Sequence, residues 1–283
     1  MNPNPTVVFL IPIASPQVVK DWPLACGYLQ RTLGSIFNST NGDFRVVVAG
    51  HEPPDFPLPP DERFKYLPVS YPVPSPSNQI SWVAPVRDKM LKLAAAWDYA
   101  KATSTPRYVM KVDWDDLISS RLVEWLARAK DAAGYRIKHG WIWRPSPRAF
   151  IQCTETFDRM CGSCLIIRRD MADLTGPFLH SCDGAKFDAA GQQLEASDLY
   201  SLIPGAGTGT LLLNDSHTRA EAQFAHLGHA LPAVSFRAAI YRSGHGNNAS
   251  GQYHRSHNLR MLLGRLRRTR LVTAGLKKEF NLE

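Results

Sequence analysis

Two apolar runs near the start of the chain, with a helical segment between them, constrain the fold more than any other feature. Residues 6–13 are apolar at nearly every position, which is typical of a strand buried on both faces. Residues 44–49 are rich in β-branched side chains, and residues 24–37 between the two runs repeat their apolar positions at helical spacing. This order predicts a βαβ unit and therefore a parallel sheet with a right-handed crossover.

Length and composition predict a globular protein with a large core. The chain has 283 residues, of which 44% are hydrophobic, enough for one large domain or a domain with a closely packed extension. It contains no apolar run of membrane-spanning length, and its first residues lack the basic start and apolar stretch of a signal peptide, so we expect a cytoplasmic protein. Five cysteines do not suggest a disulfide framework, and Cys161 and Cys164 are expected to be buried free thiols.

The rest of the chain continues to alternate strands and helices. A proline-rich stretch at residues 68–76 predicts a long extended loop. We expect further strands at residues 64–69, 108–110, 135–143, 162–168 and 234–241, and further helices at residues 86–100, 122–133, 195–202 and 218–227.

Basic residues are concentrated in the C-terminal segment. The formal net charge of the chain is +8, and residues 255–283 carry eight Lys or Arg against two Glu. Leucines in this segment recur at roughly helical spacing, which predicts a basic amphipathic helix that includes Leu259, Leu262, Leu263, Leu266 and Leu271. Such a helix either lies on an anionic membrane face or packs its leucines on the body of the protein.

Three aspartates follow the strand predicted at residues 108–110. Asp113, Asp115 and Asp116 concentrate negative charge at one edge of the sheet, which costs folding energy unless a cation or a set of donors compensates it. Mg²⁺ and Mn²⁺ prefer carboxylate oxygen and keep positions open for substrate phosphate, so the spacing favours a metal that bridges to a diphosphate. Alternatively, Asp115 or Asp116 caps the helix that follows, near Ser119.

Ligands of open α/β sheets bind outside the carboxyl ends of the strands. Ala14 and Ser15 follow the first predicted strand, Gly50 to Glu52 follow the second, and the aspartates follow a later one. Three strand-end loops are therefore expected to converge on one crevice.

Together these features resemble bacterial inverting glycosyltransferases of the GT-A fold, of the kind grouped with family two and the rhamnosyl transferases. The resemblance covers most of residues 6–250, although only the aspartate motif has a widely shared mechanism. It lies in residues 7–13, 31–36, 44–48, 87–89 with Lys92, 113–116, 162–165 and 241–250.

The resemblance implies a GT-A-like three-layer α/β/α sandwich with a mixed, mainly parallel central sheet and a C-terminal helical extension. The catalytic domain would span residues 1–254, with a nucleotide-sugar-binding part at 1–118 and an acceptor-binding part at 119–254. Residues 255–283 would form the basic helical tail.

The resemblance also implies roles for individual residues. Asp113 would hydrogen-bond the ribose or base of the donor, and Asp115 would hold Mn²⁺ or Mg²⁺ against its diphosphate. Asp116 would either support the metal ligand or cap a helix. The remaining residues implied in donor binding are Pro12, Glu52, Arg87, Asp88, Lys92 and Trp114.

Two further roles fall in the second half of the chain. His245, between glycines, would complete the metal shell, with His254 and His257 as rivals. An inverting enzyme needs a carboxylate that deprotonates the acceptor hydroxyl, and Asp215 or Asp198 would be that base, with Asp215 preferred because it lies at a strand-to-helix junction.

These expectations describe a metal-dependent transferase that moves a sugar from a nucleotide-diphosphate donor to a saccharide or lipid-linked acceptor. We expect it in the cytoplasm, with a tail able to contact the inner face of the membrane, and with no nucleic-acid partner. One alternative is a nucleotidyltransferase or sugar-nucleotide pyrophosphorylase, which would carry a glycine-rich basic signature after its first strand. The other is a non-enzymatic module that binds membrane or nucleic acid through the basic tail.

Overall fold

The fold contains two main sheets, in a computed structural model that describes residues 2–73, 83–144, 149–176, 186–187, 193–194, 210–213, 217–244 and 267–282. The strands are β1 Val7–Pro12, β2 Phe44–Gly50, β3 Phe64–Pro68, β4 Tyr108–Lys111, β5 Leu117–Ile118, β6 Gly134–Arg136, β7 Gly140–Trp143, β8 Phe150–Thr154, β9 Leu165–Arg168, β10 Thr175–Gly176, β11 Lys186–Phe187, β12 Gln193–Leu194, β13 Thr210–Leu211, β14 Ala239–Arg242 and β15 Thr269–Leu271. The helices are α1 Trp22–Phe37, α2 Val83–Thr103, α3 Leu122–Arg128, α4 Arg169–Ala172, α5 Ala220–His226 and α6 Ala274–Phe280.

The first sheet has six strands in the order β3-β2-β1-β4-β9-β6. The first four are mutually parallel, whereas β9 is antiparallel to both β4 and β6. Strand β1 is central: Val7 pairs with Phe44 on one side and Tyr108 on the other, and residues 7–11 are completely buried. The predicted βαβ unit and the predicted fold class, a mixed α/β protein with mainly parallel central strands, are therefore confirmed.

Helix α1 packs on the core through residues spaced three and four apart. Its N-cap is Asp21, whose side chain accepts a hydrogen bond from the Leu24 amide, and Pro23 lies in its first turn. Its buried face includes Ala25, Leu29, Leu33 and Ile36. Since this apolar stripe matches the helical period, the helix was predictable from sequence.

The second sheet joins distant parts of the chain. Its five strands lie in the order β15-β8-β7-β14-β5, and only the β14–β7 pair is parallel. Strand β5 follows the aspartates directly, and β15 comes from the basic C-terminal segment. A smaller apolar core lies at this sheet and consists of Leu117, Trp143, Ile151, Ile240, Phe280 and Leu282.

The single strand predicted at residues 135–143 is wrong. The chain forms two strands there, β6 in the first sheet and β7 in the second, so it crosses between sheets within this stretch. Gly134, predicted to stop a helix, begins β6, where a Cβ would lie 2.6 Å from the Ile166 carbonyl oxygen. The preceding helix already ends at Arg128, because Ala129 takes up an extended conformation with ψ 147°.

The end of the basic segment is also different from the prediction. Leu271, assigned to an amphipathic helix, lies in β15, where its position in the sheet is opposite Phe150. Helix α6 follows, with Thr273 as its N-cap and Asn281 as a left-handed C-cap at φ 52°. Strand formation prevails here because the backbone of β15 pairs with the edge of β8. Residues 255–266, which carry the other predicted leucines, lie outside the described residues.

No helix within the described ranges is long and apolar enough to span a bilayer. The predicted helix at residues 195–202 falls outside those ranges.

Replacement of Phe280 by alanine should destabilise the protein by about 3–5 kcal/mol, because the ring is completely buried in the smaller core. Urea denaturation followed by circular dichroism measures the change. Lys278→Ala on the exposed face of the same helix is the control and should change stability by no more than about 0.5 kcal/mol. Equal stability of the two variants would contradict the docked position of α6.

Candidate functional site

The loops after the parallel strands meet at the carboxyl edge of the first sheet. The Gln17 side-chain amide, after β1, donates to Glu52 Oε1, after β2, at 2.6 Å. Lys89 Nζ, near the start of α2, donates to Asp113, after β4. The edge therefore carries a crevice with acidic and basic groups, at the position where open α/β sheets bind ligands.

Asp113 is paired with a cation from α2. Its side chain and that of Lys89 are 29% and 38% exposed, and their charged groups are in direct contact. Burial alone would raise the pKa of Asp113, but the Lys89 ammonium group outweighs this effect and holds that pKa below its ordinary value. Asp113 is therefore an ionised carboxylate at neutral pH, next to a fixed positive charge.

Asp116 is completely buried and accepts hydrogen bonds from three donors. These are the Ser163 hydroxyl at 2.6 Å, the Cys161 thiol at 2.9 Å and the Arg242 amide at 3.3 Å. Burial, together with the charges of Asp115 and Asp113, raises the pKa of Asp116 well above its ordinary value. The same burial and the nearby carboxyl of Asp116 raise the pKa of the Cys161 thiol.

The alternative in which Asp115 or Asp116 caps the following helix is wrong. The N-cap of α3 is Arg121, and strand β5 separates the aspartates from that helix. The Arg121 amide donates to the Ser119 hydroxyl at 3.2 Å. Asp116 instead connects the end of β4 to residues 161–163 and to β14, because its donors come from those segments.

A buried guanidinium group lies next to Asp115 and Asp116. Arg242, at the end of β14, is 4% exposed, and its guanidinium lies 4.9 Å from the centre of the Tyr28 ring and 5.6 Å from that of Trp143. Burial and the charge of Arg31 lower its pKa to about 10, against the opposing influence of the two aspartates. Asp115 itself is 7% exposed.

The start of α2 contributes a buried pair rather than a solvated face. Lys92 and Asp88 are 1% and 8% exposed, and Lys92 Nζ lies 2.6 Å from Asp88 Oδ2. His51 Nδ1, next to Glu52 in sequence, lies 3.9 Å from Asp88 Oδ1. Burial lowers the pKa of Lys92, although Asp88 partly offsets it. Asp88 and Lys92 are therefore buried and paired with each other rather than exposed to solvent.

The structure places the other predicted donor residues at the same edge. Pro12 ends β1 and is buried, and Glu52 is exposed on its loop. Trp114 is half-buried; its carbonyl accepts a hydrogen bond from Thr32 Oγ1 at 2.9 Å. The Arg87 backbone lies in α2, and its side chain is outside what the structure describes. Also outside the described ranges are Asp198, Asp215, His245, His254 and His257.

Two site residues were missed by sequence reasoning. Lys89 contributed to the resemblance but was given no role, and Arg242 lies one residue beyond the strand predicted at 234–241. The rule that ligand-binding residues follow strand ends would have singled out Arg242. No local signal links Lys89 to Asp113, because the contact depends on how α2 packs on β1 and β2 of the first sheet.

Among the described residues, no set of three or more His, Cys, Asp or Glu side chains is arranged to hold a metal ion. Asp115 and His245, the metal ligands that the sequence resemblance implies, therefore stay a prediction.

The predicted free thiols are confirmed for both members of the close pair. Cys161 and Cys164 are buried and unbridged, and Cys26 and Cys153 are free as well. Burial raises the pKa of Cys164 to about 12, so its thiol stays protonated at neutral pH.

Replacement of Ser163 by alanine should destabilise the protein by about 1–3 kcal/mol, because it removes one of the three donors to the buried Asp116 carboxyl. The same hydroxyl accepts from the Asp113 amide at 2.8 Å. Thermal and urea unfolding measure the change. Ser235→Ala is the control, since the exposed Ser235 hydroxyl accepts only from the Trp125 indole, and a loss there as large as that at Ser163 would contradict the proposed role of the Asp116 hydrogen bonds.

The comparisons with known proteins do not assign the chain to a family. No protein-family model and no curated protein matches it. Among solved structures, the chain is similar to the crystal structure of S. aureus TarS, residues 1–349, with 12% identity and a TM-score of 0.40. The likeness covers 86% of this chain and 60% of that one, so the chain spans less than two thirds of the matched structure.

Proposed function

We propose that the protein is a glycosyltransferase that moves a sugar from a nucleotide-diphosphate donor to a saccharide or lipid-linked acceptor. The observation that carries the proposal is the crevice at the carboxyl edge of β1, β2 and β4, which combines Glu52 with the aspartate cluster and with the cation of Lys89. Parallel sheets bind nucleotides at this edge.

Donor binding is assigned to residues on three sides of the crevice. Glu52 and Asp113 would accept hydrogen bonds from the ribose or base, since ionised carboxylates accept strongly from hydroxyl and N–H groups. Lys89 contacts Asp113, and Arg242 interacts electrostatically with Asp115 and Asp116, so both would supply positive charge for a diphosphate. The leaving diphosphate gains charge during transfer, and fixed cations stabilise that charge.

A divalent cation, Mn²⁺ or Mg²⁺, is part of the proposal, with Asp115 as its ligand. Mg²⁺ is commonly held by one or two carboxylates together with water and substrate phosphate, and Asp115 with a bound diphosphate would provide such a donor set. When bound, the cation would offset the negative charge of the leaving group. His245 is the second ligand proposed from sequence.

Direct displacement with inversion is the proposed mechanism. One carboxylate, Asp215 or Asp198, would remove the proton of the acceptor hydroxyl as it attacks the anomeric carbon. A nucleotidyltransferase on the same sheet would instead release pyrophosphate. The product released from the donor therefore separates the two enzyme classes.

Asp115→Asn should reduce turnover of the donor by about 100-fold or more, because removal of one charge-stabilising group commonly has an effect of that size. Wild-type protein with Mn²⁺ is incubated with UDP-, GDP- and dTDP-sugars, and release of nucleoside diphosphate is measured by chromatography. A chelator should abolish the release, and added Mn²⁺ should restore it.

The control for this experiment is Asp98→Asn, an exposed aspartate on α2 that should leave turnover unchanged. Far-UV circular dichroism shows that each variant is folded. If no nucleotide sugar is hydrolysed by the wild-type protein, or if Asp115→Asn is as active as wild type, the proposal is wrong.

We also propose peripheral contact with an anionic membrane through β15 and its surroundings. Phe150 and Leu271 occupy paired positions on neighbouring strands, and their side chains are 43% and 63% exposed. The exposed Arg267, Arg268 and Arg270 lie beside them. Arginines beside exposed apolar side chains match a surface of anionic headgroups over acyl chains.

Replacement of Arg267, Arg268 and Arg270 together by glutamine should reduce binding to vesicles that contain phosphatidylserine by at least tenfold, since each charge near such a surface contributes about 1 kcal/mol. Sedimentation with vesicles measures binding. This variant is preferable to removal of residues 255–283, which would also remove the buried Phe280. Lys277→Gln with Lys278→Gln on α6 is the control, and equal binding of wild type and the arginine variant would exclude the contact.

A further inference from the structure

A cavity of about 280 Å³ lies next to the acidic crevice and is not part of the proposed donor site. The segment 162–164 connects the two regions. A Cβ on Gly162 would lie 3.1 Å from Asp113 Oδ2, and Cys164, two residues later, lines the cavity. His217 lines the cavity too and is an electrostatic neighbour of Asp113. A ligand in the cavity would therefore be next to the proposed donor site.

The polar lining of the cavity is balanced in charge. Arg136 contacts Asp158 Oδ2 at 3.3 Å and also pairs with Glu221, and Arg159 is the second arginine of the lining. Arg136 and Asp158 are only 18% and 12% exposed. Two arginines thus face two carboxylates, and the wall offers both donors and acceptors without a net excess of either charge.

One wall of the cavity is apolar. Leu165, Ala220 and Leu231 line it, and all three are buried. Apolar lining groups together with a few charged hydrogen-bonding groups match a ring that has C–H groups on its face and hydroxyl groups at its edge.

We propose that this cavity is the acceptor subsite and that it takes one uncharged pyranose ring of an acceptor saccharide. The inference rests on the proposed glycosyltransferase activity. The cavity volume of about 280 Å³ is at the lower end of ligand pockets, which span about 300–1,000 Å³, so it suits a single ring rather than a longer chain.

The lining argues against other acceptor chemistries. An acyl chain would exclude water from Arg136, Asp158 and Glu221 without replacing the hydrogen bonds that these side chains make with water. This desolvation is unfavourable. The positive charge of Arg136 is already compensated by two acidic groups, which disfavours binding of a phosphate or carboxylate group there. Hydroxyl groups can donate to the carboxylates and accept from the guanidinium group at the same time.

The test is saturation-transfer-difference NMR with the full chain and methyl glycosides of glucose, galactose and mannose. Methyl glucuronide and glucose 1-phosphate are the charged probes, and no donor is added. We expect signals from at least one neutral glycoside and weaker signals from both charged probes. Stronger signals from a charged probe, or no signal from any neutral glycoside, would overturn the proposal.

Two variants locate the binding within the protein. Thr218→Trp fills the cavity from its wall and should remove the signal. Glu221→Gln should weaken binding of the neutral glycoside by about tenfold, which is the usual effect of losing a hydrogen bond to a charged group. The matched control is Glu124→Gln, which alters a glutamate that pairs with Arg128 in the first turn of another short helix and should change nothing.

Donor turnover distinguishes this proposal from the proposed function. If the wild-type protein hydrolyses a nucleotide sugar but Thr218→Trp leaves glycoside binding intact, the subsite is wrong and the transferase assignment stands. If no donor is hydrolysed while Thr218→Trp abolishes glycoside binding, the cavity is a saccharide site and the transferase assignment fails.

Discussion

The buried carboxyl of Asp116 is the interaction on which the candidate site depends. Its three hydrogen-bond donors come from two segments, residues 161–163 and β14, that are distant from Asp116 and from each other in sequence. Ser163 also accepts from the Asp113 amide, so the backbone that presents the exposed aspartate is fixed by the same hydroxyl. Burial of an acidic group costs free energy, and the hydrogen bonds from its donors offset that cost for Asp116.

Charge compensation explains the roles of the two cations, Lys89 and Arg242, around the aspartates. Lys89 neutralises Asp113, and the charge of Arg242 acts on Asp115 and Asp116, so the cluster is less negative than its sequence suggests. The two cations would also be available to a bound diphosphate. A metal in the proposed site would thus share the stabilisation of the diphosphate charge with fixed side-chain cations.

The sequence was most informative where structure follows from local periodicity. Strands β1, β2 and β4 were predicted from short apolar runs, and helix α1 from apolar residues at helical spacing. Strands β5 and β15 have two and three residues, too few for any period, and they exist because distant strands pair with them. The rule that ligand-binding residues follow strand ends therefore located the acidic loop. It could not show that Lys89 pairs with Asp113 or that the Asp116 carboxyl is buried.

The second sheet has a consequence for folding order. The Ser119 hydroxyl and the Arg121 guanidinium both bond Glu279, about 160 positions later in the chain. Contacts between such distant residues form slowly, because a long loop must close before they stabilise anything. Until residues 269–271 have been synthesised and released, strand β8 presents an unpaired edge with Phe150 on it. A nascent chain at that stage is a substrate for chaperones and for strand-to-strand aggregation.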